Sequence, residues 1–176
     1  VSNNVSVTVN TPPTITAQVT NAIVCTGGSN VFTVTASGGN LTYQWQVSSN
    51  GGTSYSNITG ATANSYNLAG ITNTQNNNLY QVIISGSCGA PVTSDAGLLT
   101  VNAPPVVTAT ASESSVCTGT DVLLTASGAT TYTWSPVSST DNPVHVFPTV
   151  NSGNPNVPNP VTYTVTGSNG NGCDAT

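Results

Sequence analysis

Apolar residues alternate with hydroxyl and amide residues along most of the chain. Residues 79–85 read Leu-Tyr-Gln-Val-Ile-Ile-Ser, residues 41–47 read Leu-Thr-Tyr-Gln-Trp-Gln-Val, and residues 5–10 read Val-Ser-Val-Thr-Val-Asn. A period of two sends successive side chains to opposite faces of a strand; no stretch carries the 3.6-residue period of a helix. These runs are short and are separated by clusters of Gly, Asn, Ser and Pro. They predict strands near 14–20, 30–36, 41–48, 54–58, 64–68, 79–85 and 92–101. Further strands follow near 105–111, 121–126, 130–135, 143–147 and 161–167. Asn50-Gly51 predicts a hairpin turn and Asn76-Asn77-Asn78 another turn. Pro155, Pro158 and Pro160 place a long loop at 148–160, because proline cannot donate to a central ladder.

The pattern occurs twice. Pro12-Pro13 recurs as Pro104-Pro105, Val24-Cys25-Thr26-Gly27 as Val116-Cys117-Thr118-Gly119, and Thr35-Ala36-Ser37-Gly38 as Thr125-Ala126-Ser127-Gly128. Then Tyr43-x-Trp45 recurs as Tyr132-x-Trp134, Tyr80-x-Val82 as Tyr163-x-Val165, and Cys88 as Cys173. The common order of these landmarks indicates a duplication with a period of about 90 residues. Trp45 and Trp134 fall on the third strand, where an immunoglobulin-type core buries a tryptophan. Tyr80 and Tyr163 begin the penultimate strand, at the tyrosine-corner position. The expected class is all-β, with tandem immunoglobulin-like β-sandwich domains, and these four aromatics are expected in the cores.

The reading frame of the repeat is out of step with the chain. Val7-Thr8-Val9-Asn10 precedes Pro12-Pro13 as Leu99-Thr100-Val101-Asn102 precedes Pro104-Pro105. Residues 1–10 thus read as the last strand of a preceding or neighbouring domain, 11–102 as a first complete domain, and 103–176 as a second lacking its last strand. An uncovered sheet edge invites pairing with another chain. Two arrangements satisfy this frame. In one, the chain is a window of a longer array; in the other, Val5, Val7 and Val9 of one subunit complete the second domain of the next. The partners expected are accordingly copies of the chain or flanking repeats of the same polypeptide.

Composition narrows the function. Lys plus Arg is 0 and charged residues are 3%, against a hydrophobic fraction of 36%. Without a cation nothing neutralises phosphate, which excludes nucleic-acid binding and attraction to anionic lipid. Roughly two-fifths of the residues are Thr, Ser or Asn, a surface hydrated through hydroxyls and amides rather than ions. No apolar run approaches the ~20 residues that span a bilayer, so no membrane insertion is expected.

In Val24-Cys25-Thr26-Gly27-Gly28, Leu41-Thr42-Tyr43-Gln44-Trp45-Gln46-Val47, Tyr80-Gln81-Val82 leading to Gly86-Ser87-Cys88-Gly89, and Thr162-Tyr163-Thr164-Val165-Thr166-Gly167 leading to Gly172-Cys173, the chain resembles the immunoglobulin-like and PKD-like repeats of large Bacteroidota surface proteins. The resemblance covers nearly the whole chain. It implies an extracellular or cell-surface setting and the role of an adhesin, spacer or stalk; it implies no ligand. The absence of lysine departs from ordinary repeats and rules out Lys–Asn isopeptide staples.

Four cysteines without a C-x-x-C pair indicate disulfides in a secreted protein rather than a zinc or redox motif. Two connectivities fit. Pairing within domains joins Cys25 to Cys88 and Cys117 to Cys173, although those positions lie at opposite ends of a sandwich, ~20 Å apart along a strand of six residues. Pairing between domains joins Cys25 to Cys173 inside the chain and Cys117 to Cys88 of a following subunit.

Catalytic chemistry has little to work with. His145 is the only histidine and reads as an outward position of a strand. Asp95, Glu113, Asp121, Asp141 and Asp174 are scattered and present no facing pair. Asp141-Asn142 with nearby carbonyls is the one candidate calcium site. Gly27-Gly28 and Gly51-Gly52 lack the following helix of a phosphate cradle. Asn4-Val5-Ser6, Asn40-Leu41-Thr42 and Asn57-Ile58-Thr59 match the glycosylation sequon. No enzyme, cofactor or metal site is therefore expected. The leading expectation is an extracellular stalk or filament module. The alternative is an adhesin whose loops 48–54, 86–91 or 148–160 contact glycans or another cell surface.

Overall fold

The computed structural model describes residues 5–149 and 160–176. It divides into two compact units, Val1–Asn102 and Ala103–Thr176. No α-helix occurs among the described residues, only one 3-10 turn at Asn73–Gln75. Both units are immunoglobulin-like β-sandwiches.

The first unit contains β1 (Thr14–Ala17), β2 (Ala22–Cys25), β3 (Ser29–Thr33), β4 (Thr35–Ser37), β5 (Thr42–Ser48), β6 (Ser56–Asn57), β7 (Ser65–Ala69), β8 (Leu79–Ser85), β9 (Val92–Thr93) and β10 (Gly97–Asn102). One layer is β1 on β4 and β7 on β3, with β3 and β4 following each other along one extended run. The other layer has the order β2-β10-β8-β5-β6, with β9 also on β8. All its pairs are antiparallel except β2 with β10, which runs parallel from Leu99↔Ala22 to Asn102↔Cys25.

Alternation builds the core. Tyr80, Val82 and Ile84 of β8 point inward, as do Leu99 and Val101 of β10, while their neighbours face out. Trp45 is fully buried opposite Val82. Aromatics bridge the layers: Phe32 of β3 stacks on Tyr80 with ring centroids 4.8 Å apart, and Tyr66 of β7 lies 5.9 Å from Tyr80. Each such contact adds about 0.5–1.5 kcal/mol beyond the area buried.

The second unit contains β11 (Thr108–Ala111), β12 (Val122–Ser127), β13 (Thr131–Ser135), β14 (Val144–Val146), β15 (Thr164–Ser168) and β16 (Asp174–Ala175). Its layers are β11-β12-β14 and β13-β15-β16. Trp134 pairs with Val165 as Trp45 pairs with Val82. Its core contains Val122, Leu124, Ala126, Val144, Val146 and Val165 around Trp134.

Repeated glycines have a packing reason. Gly38 and Gly128 both have positive φ, 151° and 95°. A Cβ at Gly38 would meet the Pro12 carbonyl, and one at Gly128 would strike the Val106 carbonyl. In each unit the entering chain crosses where a side chain would block it.

Four strand expectations change. The run expected at 30–36 breaks into β3 and β4, and that at 92–101 into β9 and β10. The strand β2 is additional: Ala-Ile-Val-Cys shows no alternation, and its strand character comes from the β10 ladder beside it. A two-residue β16 follows Cys173, where the sequence pattern predicts none.

Candidate functional site

The expected aromatics lie as follows. Trp45 and Trp134 are 0% and 1% exposed, Tyr80 is 2% exposed, and Tyr163 is half-buried against the second core. Burial raises the Tyr80 phenol above its ordinary value, opposed by hydrogen bonds with the side chains of Asn78 and Gln75. His145 sits on β14 with Nδ1 3.0 Å from the Asp121 carboxylate, both side chains largely in solvent. The pair ties β14 to the residue that precedes β12, on an exposed face.

The remaining acids do not converge. Among the described residues no group of three His, Cys, Asp or Glu side chains stands close enough to hold a metal ion. At Asp141-Asn142, Asp141 engages Ser139, and the Asn142 amide is committed to β12. It accepts from Ala126 N–H at 2.7 Å and donates to the Ala126 carbonyl at 2.8 Å. The loop at 48–54 is likewise occupied with itself. The buried Ser48 hydroxyl donates to Asn50 Oδ1 and accepts from Gly52 N–H, and Asn50 binds Ser54. In 86–91, Ser87 is held to the Gly39 carbonyl through both its N–H and its hydroxyl. The loop at 148–160 lies outside the described residues from 150 to 159.

The unusual feature is a sheet edge. In the first unit β8 is flanked on the side away from β5 by β10 at Leu79 and Tyr80 and by β9 at Ile83 and Ile84. Its counterpart β15 has β13 on one side, from Thr164 to Ser168. On the other side β16 reaches only Gly167 and Ser168. Among the described residues no strand pairs with Thr164, Val165 or Thr166 there. Residues 114–117, the counterpart of β2, form no strand. The reason is local: β2 exists because β10 supplies its ladder, and the described part of the second unit has no equivalent of β10.

A segment carrying the β10 pattern lies elsewhere. Val7-Thr8-Val9-Asn10 corresponds to Leu99-Thr100-Val101-Asn102, yet residues 5–13 form no strand. Leu99 and Val101 are 0% and 4% exposed, whereas Val7 and Val9 are 82% and 87% exposed, and Val5 is 88% exposed. Three regularly spaced valines thus stand in water.

The cysteines divide into two kinds. Cys25 and Cys173 are disulfide-bonded, while Cys88 is a half-buried and Cys117 an exposed free thiol. Pairing within domains is thereby overturned, because each of its two bonds would need one of these free thiols. Geometry within the first unit explains the failure. Cys25 pairs with Asn102 at the far end of β10, and Cys88 lies beyond the opposite end of β8. About ten strand positions, roughly 30 Å, separate them, against the ~4.4–6.8 Å that a disulfide allows between Cα atoms. The existence of disulfides is legible in composition; which cysteines stay reduced depends on tertiary placement.

A family model described as a domain of unknown function, DUF8696, matches residues 13–103. No curated protein matches the sequence significantly. Among solved structures, a chimeric titin Z1Z2 carrying an exogenous decorin peptide is similar, with 20% identity and a TM-score of 0.42. That match covers 55% of this chain and 99% of the other. The four N-terminal immunoglobulin domains of Dscam1 isoform 7.44 match at 12% identity and a TM-score of 0.49. That match covers 95% of this chain, which spans less than half of the Dscam1 structure, 44% of it.

Proposed function

The chain belongs to the DUF8696 family, and on that premise we propose that it is a non-catalytic module of an extracellular bacterial stalk or filament. Copies join head to tail when residues 5–10 of one enter the second unit of the next. The observation that carries this reading is the reversed exposure of equivalent residues, Leu99 and Val101 buried, Val7 and Val9 in water. The donated segment takes the place that β10 holds in the first unit, between β15 and residues 114–117. Its valines then cover the Trp134 core, and its backbone pairs with residues 164–166 of β15, on the side where no described strand lies. Moving two valines from water into a core contributes roughly 1.5–3 kcal/mol each, and the ladder bonds add to that. The contact joins unlike surfaces, so it propagates rather than closing on itself.

A disulfide fits a secreted or surface setting. No described helix is long and apolar enough to cross a membrane. The likeness of the sequence to Bacteroidota surface repeats supports the same setting. Absence of Lys and Arg removes every trypsin-type cleavage site, a useful property for a structure exposed outside the cell.

The test is addition in trans. A synthetic peptide of residues 1–13, mixed with protein lacking residues 1–10, is expected to raise the melting temperature of the second unit. The intact protein is expected to form fibres in electron micrographs, and the shortened protein monomers. A peptide that leaves the second unit unchanged, together with monomers from the intact protein, would sink the assignment.

A further inference from the structure

We propose that Cys88 and Cys117 of successive copies form a disulfide that locks the joint, an inference that rests on strand donation. The two free thiols are of opposite kinds. Cys117 occupies the place of Cys25 in the repeat, and Cys88 the place of Cys173. One residue of each kind is already oxidised, and one of each kind remains reduced.

Contacts inside the first unit give the geometry of the joint. Asn102, the last residue of β10, is the direct strand partner of Cys25. Its carbonyl accepts from the Thr26 N–H at 2.9 Å and from the Thr26 hydroxyl at 3.3 Å. Asn10 corresponds to Asn102 in the donated segment. Seated in the second unit of another copy, it lies opposite Cys117, with its carbonyl facing Thr118. Cys88 travels with Asn10: its thiol donates to the Asn10 carbonyl at 3.2 Å. The carbonyl therefore brings one sulfur to the strand neighbour of the other. Adjacent strands lie ~4.8 Å apart, so Asn10 sits one strand spacing from Cys117 and the Cys88 sulfur is carried to the same end of the joint.

The chemistry is thiol–disulfide exchange with a small disulfide oxidant such as oxidised glutathione. One thiolate attacks the oxidant and forms a mixed disulfide; the second thiolate displaces the small thiol. The two S–H bonds of the protein are replaced by one S–S bond. The oxidant takes up the two electrons and two protons as two small thiols.

The experiment uses the full chain in glutathione redox buffer, followed by non-reducing electrophoresis and chymotryptic peptide mapping. The intact protein is expected to give a covalent ladder that collapses on reduction. Cys88→Ser and Cys117→Ser are each expected to remain monomeric alone. Their equimolar mixture is expected to stop at dimers carrying a Cys88–Cys117 peptide. Dimers of either variant alone, or a ladder built from Cys88–Cys88 and Cys117–Cys117 peptides, would overturn the proposal. Fibres that assemble in reductant but yield no mixed dimer on oxidation would overturn the lock and leave strand donation standing. Absence of both fibres and mixed dimers would overturn both.

Discussion

The indole N–H of Trp45 donates to the main-chain carbonyl of Ala63 across 2.9 Å. Trp134 fills the same place in the second unit, but among the described residues its Nε1 finds no acceptor although it is buried. The two replacements by phenylalanine should therefore differ. Trp45→Phe loses packing and a satisfied hydrogen bond, and is expected to destabilise the first unit by about 2–4 kcal/mol. Trp134→Phe loses packing but also removes an unpaired donor, and should cost the second unit about 1–2 kcal/mol less. Calorimetry on both variants checks the order. Equal losses would mean that the Ala63 bond contributes nothing net.

Alkali should unfold the first unit through Tyr80. Its phenol is raised by burial in the folded state, so the unfolded chain releases the proton first, near the ordinary value of 10.0. The associated stability is complete below that pH and falls as pH rises towards the raised folded value. Melting temperature measured from about pH 8 to 11 should decline for the intact protein. Tyr80→Phe should start lower, having lost its bonds to Asn78 and Gln75, and decline less steeply. A parallel decline would place the sensitivity elsewhere.

Asn142 is expected to act as a clamp in the second unit. Its amide satisfies both main-chain groups of Ala126, so Asn142→Ala leaves a donor and an acceptor bare at the edge of a core strand. A loss of about 1–3 kcal/mol in urea denaturation is expected. Asn142→Asp keeps the acceptor for Ala126 N–H and loses the donor, which should place it between the two. An Asp variant less stable than Ala would show that charge at this position outweighs the retained bond.

These residues also mark where the sequence is informative. The all-β class follows from alternation, and runs such as 79–85 and 41–48 are strands because inward and outward positions are chemically distinct. The strand at Ala22–Cys25 is hidden, since four consecutive residues without polar alternation carry no period; its partner β10, far along the chain, decides its state. The clamp by Asn142 is hidden for a related reason. Asparagine before proline signals a turn, and nothing local shows that its amide will meet Ala126. At the candidate site, the kinship of residues 5–10 with 97–102 is visible in the letters. Their opposite exposures and the reduced state of Cys88 and Cys117 are not, because both depend on which strand has a neighbour.

That contrast yields the sharpest separation of stability from assembly. Leu99 and Val7 are equivalent in sequence, but only Leu99 is buried. Leu99→Ser removes a fully buried side chain and sets a hydroxyl in the first core, at a cost of several kcal/mol. Val7→Ser and Val9→Ser alter side chains already in water, and their effect on the monomer should stay within about 0.5 kcal/mol. If strand donation is correct, the same two substitutions place hydroxyls in the core of the neighbouring copy. The double variant should melt as the intact monomer does under dissociating conditions and fail to form fibres. Analytical ultracentrifugation reads the second property and calorimetry the first. Fibres from the double variant at the level of the intact protein would show that these valines cover no core, in their own chain or another.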